Sequence, residues 1–228
     1  MKLVFKYDLE KEFYNLRCIR GTLNHVWKPV RGIELELTEA CPDLDDKKAV
    51  LAFFDQKRKK ADFDIDEKIK SLTSDWEEIS QESEKRFKRL FDTDIDLGDV
   101  TAYATFASMF GYNEEESLFF VSLTSNNSNN IIIHELMHFY THILYEEKFK
   151  KAGLSCQRFN DFKEALTFLV NTDFHDLVPN VDNGYEKQRE LRKIMADKWS
   201  DCRNVGDLAD TMIKSFAESN KLAIEKTV

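Results

Sequence analysis

Apolar residues recur at helical intervals along most of this chain, and they change to a denser, β-branched and aromatic texture only in the middle. Phe5, Leu9, Phe13 and Leu16 share a helical spacing and predict a short amphipathic helix within residues 1–20. GTLNHVWKPVRG, with Gly21, Pro29 and Gly32, reads as an irregular link, in which His25 beside Trp27 is a structural residue. IELELTEA alternates strictly and fits either a strand or the lead into the next helix. From Pro42 to Asp92, apolar residues such as Val50, Phe54, Ile69, Leu72, Trp76, Phe87 and Phe91 predict two or three helices, broken near 62–66.

After Gly98 the texture changes. VTAYATFASMFGY and SLFFVSLTS predict two strands, joined as a hairpin through the NEEE turn. NNSNN then breaks the chain and offers asparagine caps to a helix over IIIHELMHFYTHILYEEKF. FNDFKEALTFLVNTDF predicts a further helix running through Leu169, and a loop with Pro179 and Gly184 leads to YEKQRELRKIMADKWSD and a last helix over DLADTMIKSFAESNKLAIEK. Helices, a small sheet, then helices define an α+β class. The domain reading is a mainly helical region over 1–97, either a cleft cover or a partner arm, followed by a core over 98–228.

Composition narrows the function classes. The 228 residues include 18 phenylalanines and 42% hydrophobic residues, enough for a substantial core. Net charge is -9, and basic residues alternate with acidic ones, as in KRKKADFDIDEK, so no basic stripe is available for phosphates and nucleic acid is not an expected partner. No apolar run approaches the length of a membrane span, and the N-terminal residues carry no apolar leader pattern, so the expectation is a cytoplasmic protein without a membrane partner. Cys18, Cys41, Cys156 and Cys202 form no CxxC pair and read as free thiols.

The chemistry is concentrated in HELMH. On a helix, His134 and His138 share a face one turn apart and can direct two imidazoles at one ion. Glu135 lies about 100° round the helix, placed to act as general base on a metal-activated water without ligating the metal. Catalytic Zn2+ commonly takes three protein ligands. His142 is a poor third, because a straight helix sets it about 12 Å along the axis from His134, and it reads as a helix-face or outer-shell residue. A third histidine six residues past the motif, the metzincin pattern, is excluded by Leu144 at that position. Glu164, on a separate predicted helix, has room to approach from the open side.

HELMH followed by KEALTFLVN resembles the gluzincin group of zinc metallopeptidases, with HExxH on one helix and a glutamate ligand on the next. The likeness spans residues 98–170, and the chain is similar in size to the compact bacterial minigluzincins. The resemblance implies a zincin-like fold with a small sheet packed on the HExxH helix. It also implies Zn2+ held by His134, His138 and Glu164, with Glu135 as base. Members often carry an aspartate four residues after the glutamate ligand; Phe168 stands there in this chain. Asp161, Asn171 or Asp173 is then expected to orient a ligand histidine.

The implied activity is hydrolysis of peptide bonds in a peptide or protein substrate, with SLFFVSLTS as the strand that pairs with extended substrate. A transition-state partner is expected after the glutamate helix, with Tyr185 preferred over His175 and Arg189. Two other readings share the motif: a zinc amidohydrolase on a non-peptide substrate, and a regulatory or protein-binding module that retains the metal site. A base at Glu135 has no use in the latter.

Overall fold

The structure is a computed structural model that describes residues 1–22, 32–125, 128–178 and 180–225. His25, Trp27, Pro29, Asn126, Asn127 and Pro179, to which loop and capping roles were ascribed above, lie outside the described residues. The class is α+β, with a four-stranded mixed sheet and a majority of helix. Two compact units are present: Met1–Glu78 with Leu97–Ser128, and Ile79–Asp96 with Asn129–Val228. No helix among the described residues is long and apolar enough to cross a membrane.

The first unit contains the sheet. Its first element is a strand, β1 (Lys2–Tyr7), rather than the start of the expected helix, and α1 occupies Leu9–Thr22. Helical spacing of Phe5 and Leu9 is overridden because β1 pairs in parallel with β2 (Asp99–Thr105), in register from Lys2 opposite Asp99 to Tyr7 opposite Ala104. Asp8 ends the strand and starts the helix: its carboxylate accepts from Glu10 N at 2.9 Å and its carbonyl from Lys11 N at 3.0 Å. IELELTEA is helical, as α2 (Gly32–Ala40), since its buried residues are Glu34 and Leu37, three apart rather than alternate. Helices α3 (Lys47–Lys60) and α4 (Ile65–Phe91) follow as expected, with Asp46 and Asp64 accepting from Ala49 N and Glu67 N at their starts.

The expected hairpin needs correction. β2 pairs in parallel with β4 (Leu118–Ser122), Thr101 opposite Leu118 through Thr105 opposite Ser122. The antiparallel partner of β4 is the two-residue β3 (Tyr112–Asn113), and the acidic turn closes that short hairpin. Sheet order is β1-β2-β4-β3. A turn is a local property, whereas a parallel pair depends on a crossover whose course depends on distant residues. Here those residues are in α1 and α2. Glu12 accepts from Phe106 N at 3.0 Å and from the Thr105 hydroxyl. Asn15 accepts from Gly111 N at 2.8 Å, and Glu34 accepts from Met109 N at 3.1 Å and from Ser108. Gly111 is required, because a Cβ there would meet the Cys18 Cβ at 2.5 Å.

Interior placement also changes the reading of SLFFVSLTS. All five residues of β4 are buried, and the strand is flanked by β2 on one side and by β3, extended by the Phe120 N to Gly111 O bond, on the other. Its edges are occupied along Leu118–Phe120, which leaves no free edge there for an incoming strand.

The second unit is helical. It holds α4 from Ile79 onward, α5 (Ser128–Lys151), α6 (Cys156–Leu166), α7 (Phe168–Asp173), a 3-10 turn at Glu186–Gln188, α8 (Arg189–Trp199) and α9 (Val205–Glu225). Stacked rings of Phe87 and Tyr140, 5.0 Å apart, and of Phe91 and Tyr140, 5.2 Å apart, fill one part of its core. Phe149 against Phe162, at 4.9 Å, fills another. Instead of showing one wet face, α5 is buried nearly all round in its middle turns, from Ile132 and Ile133 to Phe139 and Tyr140. Two residues past its end, Gly153 (φ 72) turns the chain, and Leu154 N reaches back to Phe149 O. The single helix expected through Leu169 is divided at Thr167, whose hydroxyl bonds to Glu164 O at 2.9 Å.

Burial raises the Glu12 carboxyl from 4.5 to about 7, against the pull of its Thr105 and Phe106 hydrogen bonds and with a small push from Glu34. A raised folded pKa means the fold favours the protonated acid. The stability contribution is therefore complete below about pH 4.5 and is lost as pH rises through about 7. Urea unfolding at pH 5 and pH 8 is expected to show a loss on the order of 1–3 kcal/mol for the wild type that is largely absent in Glu12→Gln. Equal pH slopes in the two proteins would refute the assignment.

Candidate metal site

The candidate site lies wholly in the second unit, and its chemistry begins with one helical turn. On α5 the rings of His134 and His138 stand 4.5 Å apart, nearly perpendicular, so both Nε2 atoms project to one side. Glu164, two residues before the end of α6, brings its Oε2 to 3.4 Å from His138 Nε2 and 3.9 Å from His134 Nε2. The three donor atoms all lie within 4.8 Å of one another. Donors about 2.1 Å from a shared tetrahedral ion lie roughly 3.4 Å from each other, so the spacing suits a zinc-sized cation. Glu164 Oε2 is buried and faces the Nε2 atoms of both histidines.

Electrostatics agree with that geometry. Burial alone would raise the Glu164 carboxyl, but His138, then His134 and Lys163, bring it down to about 2. It is an ionised carboxylate in a buried position. Lys163, itself buried, has its ammonium pulled down to about 8 by desolvation, with Glu164 opposing.

Glu135 is buried at 6% exposure and stands outside the three-donor group, as its position on the helix requires. Tyr185 is more than half exposed, yet its hydroxyl is pushed well above the ordinary range, first by desolvation and then by the carboxylates of Glu164, Glu135 and Asp182. His142 is directed elsewhere, with Nε2 3.3 Å from Glu146 Oε2. His175 Nδ1 bonds to Thr172 O, and Arg189 pairs with Glu186; neither joins the group.

The residue that orients His134 is none of the three expected. Asp161 accepts from Gln157 and Gln188, and Asp173 pairs with Arg89. The acceptor is Asp182, whose Oδ2 lies 2.6 Å from His134 Nδ1. Asn171 acts one step behind: its amide donates to Asp182 O at 2.8 Å and its oxygen accepts from Asp182 N at 2.7 Å. Gly184 N donates to Asp182 Oδ1 at 2.8 Å, and Asn130 from the first turn of α5 donates to Asn180 O. Phe168, at the position where an aspartate was sought, is buried and packs edge-on to Trp199. VDNG advertises only an Asx turn, and the approach of that turn to α5 has no periodic signal.

Arg192, on α8, was also not anticipated. Its guanidinium is nearly buried, donates to Asp182 O at 2.8 Å and to the Thr167 hydroxyl, and lies 3.4 Å from Asp182 Oδ1. Desolvation pulls its pKa down while Asp182 and Glu164 push it up.

Comparison with protein-family models, with curated proteins and with solved structures finds no match to this chain. Burial raises the Asp182 carboxyl, but His134, Arg192 and Gly184 N outweigh it and hold the carboxyl below the usual range. An ionised carboxylate can only accept, so His134 carries a proton on Nδ1, and its Nε2 is the ring nitrogen on the side of Glu164 and His138. Nitrogen-15 NMR of histidine-labelled protein is expected to show the Nδ1–H tautomer for His134 in the wild type. Asp182→Ala is expected to shift it toward Nε2–H; an unchanged tautomer would contradict the role of Asp182.

Proposed function

We propose that this chain is a zinc-dependent metallopeptidase of gluzincin type, with His134, His138 and Glu164 as metal ligands and Glu135 as general base. The observation that carries the reading is the convergence of two Nε2 atoms and one buried carboxylate oxygen within 4.8 Å. Two imidazoles and one carboxylate are a donor set that suits catalytic zinc and leaves a fourth position for chemistry. Support for hydrolysis rather than a structural role comes from Glu135. A buried acid beside a ligand is costly without a task, and a purely structural site has no need of a base there.

When bound, zinc would polarise a substrate carbonyl and make a water nucleophilic near neutral pH. The protein groups then have separate tasks. The carboxylate of Glu135 takes the proton of the attacking water and returns it to the leaving amine. Asp182 holds the His134 ring by its Nδ1–H, so that Nε2 stays available to the ion. Tyr185, whose hydroxyl stays protonated, donates a hydrogen bond to negative charge developing on the carbonyl oxygen. Peptides or proteins are the proposed substrates, and the cytoplasm is the proposed compartment.

Metal analysis of purified protein is expected to give about one zinc per chain. Glu135→Gln should keep the zinc while cleavage of a peptide library, followed by mass spectrometry, falls at least about 100-fold. A wild-type chain without tightly bound metal would overturn the ligand assignment. Full activity in the glutamine variant would overturn the assigned base.

A further inference from the structure

Arg192, outside the three donors and Glu135, has bonds that reach toward both arms of the site. One arm is Glu164 on α6 and the other is His134 on α5, held through Asp182. The Thr167 hydroxyl donates to Glu164 O at 2.9 Å and accepts from Arg192 Nη1. Arg192 Nη2 donates to Asp182 O at 2.8 Å, while Nη1 lies 3.4 Å from Asp182 Oδ1, and Asp182 Oδ2 meets His134 Nδ1 at 2.6 Å. A continuous path of hydrogen bonds and ion pairs therefore runs from the Glu164 backbone through Thr167, Arg192 and Asp182 to the His134 ring.

The surroundings are shaped to this guanidinium. Thr167 is fully buried and Arg192 is 9% exposed. Gly184, at φ 59, passes so close that a Cβ would meet Arg192 Nη1 at 2.6 Å and Cδ at 2.9 Å. The loop before α8 thus has glycine where the guanidinium needs space. A planar fork with several fixed donors can serve Thr167 and Asp182 at the same time; a lysine ammonium delivers charge without that fixed geometry.

We propose that Arg192 is a positioning residue that sets the separation of the His134 and Glu164 donor atoms by bridging Thr167 and Asp182, without itself touching metal or substrate. The proposal rests on the metal reading above and adds to it a specific determinant of affinity. Outer groups that orient metal ligands commonly change metal affinity by 10–100-fold when removed. Arg192→Lys keeps the charge and loses the fork; Thr167→Val keeps the shape and loses the hydroxyl that joins Arg192 to Glu164.

The test measures zinc affinity by competition with a chromophoric chelator and records the visible spectrum of the cobalt(II)-substituted full-length protein. Thermal unfolding of the metal-free chains serves as a folding control. Both variants are expected to fold and to bind zinc at least about tenfold more weakly than wild type, with altered cobalt d–d band positions or intensities, a change that a purely structural loss of stability would not produce. Zinc affinity within twofold of wild type together with an unchanged cobalt spectrum in either variant would overturn the bridging role. If Arg192→Lys does not fold, Thr167→Val decides by the same two readouts. A wild-type chain that binds no zinc would instead remove the metal reading itself, so the two failures are distinguishable.

Discussion

A carboxylate that is taken out of water must be held ionised by its surroundings, and the candidate site depends on that requirement at Glu164. Two histidines on one turn of α5 and a lysine beside it on α6 supply the compensating positive potential. The cost of burial is then offset by an arrangement that also gathers three donor atoms. Without that compensation the carboxyl would take up a proton. The rest of the second unit serves to keep those groups in place. Rings of Phe87, Tyr140, Phe149 and Phe162 fix the helices, and the turn carrying Asp182 is bonded from Asn130, Asn171 and Arg192.

The first unit follows a related rule. Glu12 and Glu34 are buried acids whose partners are backbone N–H groups and hydroxyls at the end of β2 and in the chain that follows it. Main-chain donors in a crossover cannot be left unpaired inside a protein, and in this sheet acidic side chains from α1 and α2 satisfy them. The result is a parallel β2–β4 pair with β3 added antiparallel at the edge. In one unit buried acids organise a backbone; in the other a buried acid joins two imidazoles.

Much of the helical content was legible because helix signals are local. The break between α3 and α4, the extent of α5 and the two closing helices follow from apolar spacing, and in the structure Asp46, Asp64 and Ser155 cap helix starts. Strand pairing was not legible to the same degree. The spacing of Phe5 and Leu9 reads as helical, and only the register with β2 makes residues 2–7 a strand. The hairpin drawn between the two longer strands was wrong for the same reason: the turn was real, but its partner strand was β3.

At the candidate site the division is similar. HELMH by itself determined that two imidazoles share a helix face with a carboxylate beside them, since helical geometry depends only on spacing along the chain. Glu164 was accessible as a donor on a second helix, and Phe168 showed that the orienting acid had to come from elsewhere. Which acid it is could be decided only by tertiary structure. Asp182 and Arg192 lie in a turn and a helix that follow, and neither has a periodic or motif signal that points to His134. Their roles arise from where the chain returns after α7, a long-range placement set by packing and hydrogen bonds rather than by local sequence.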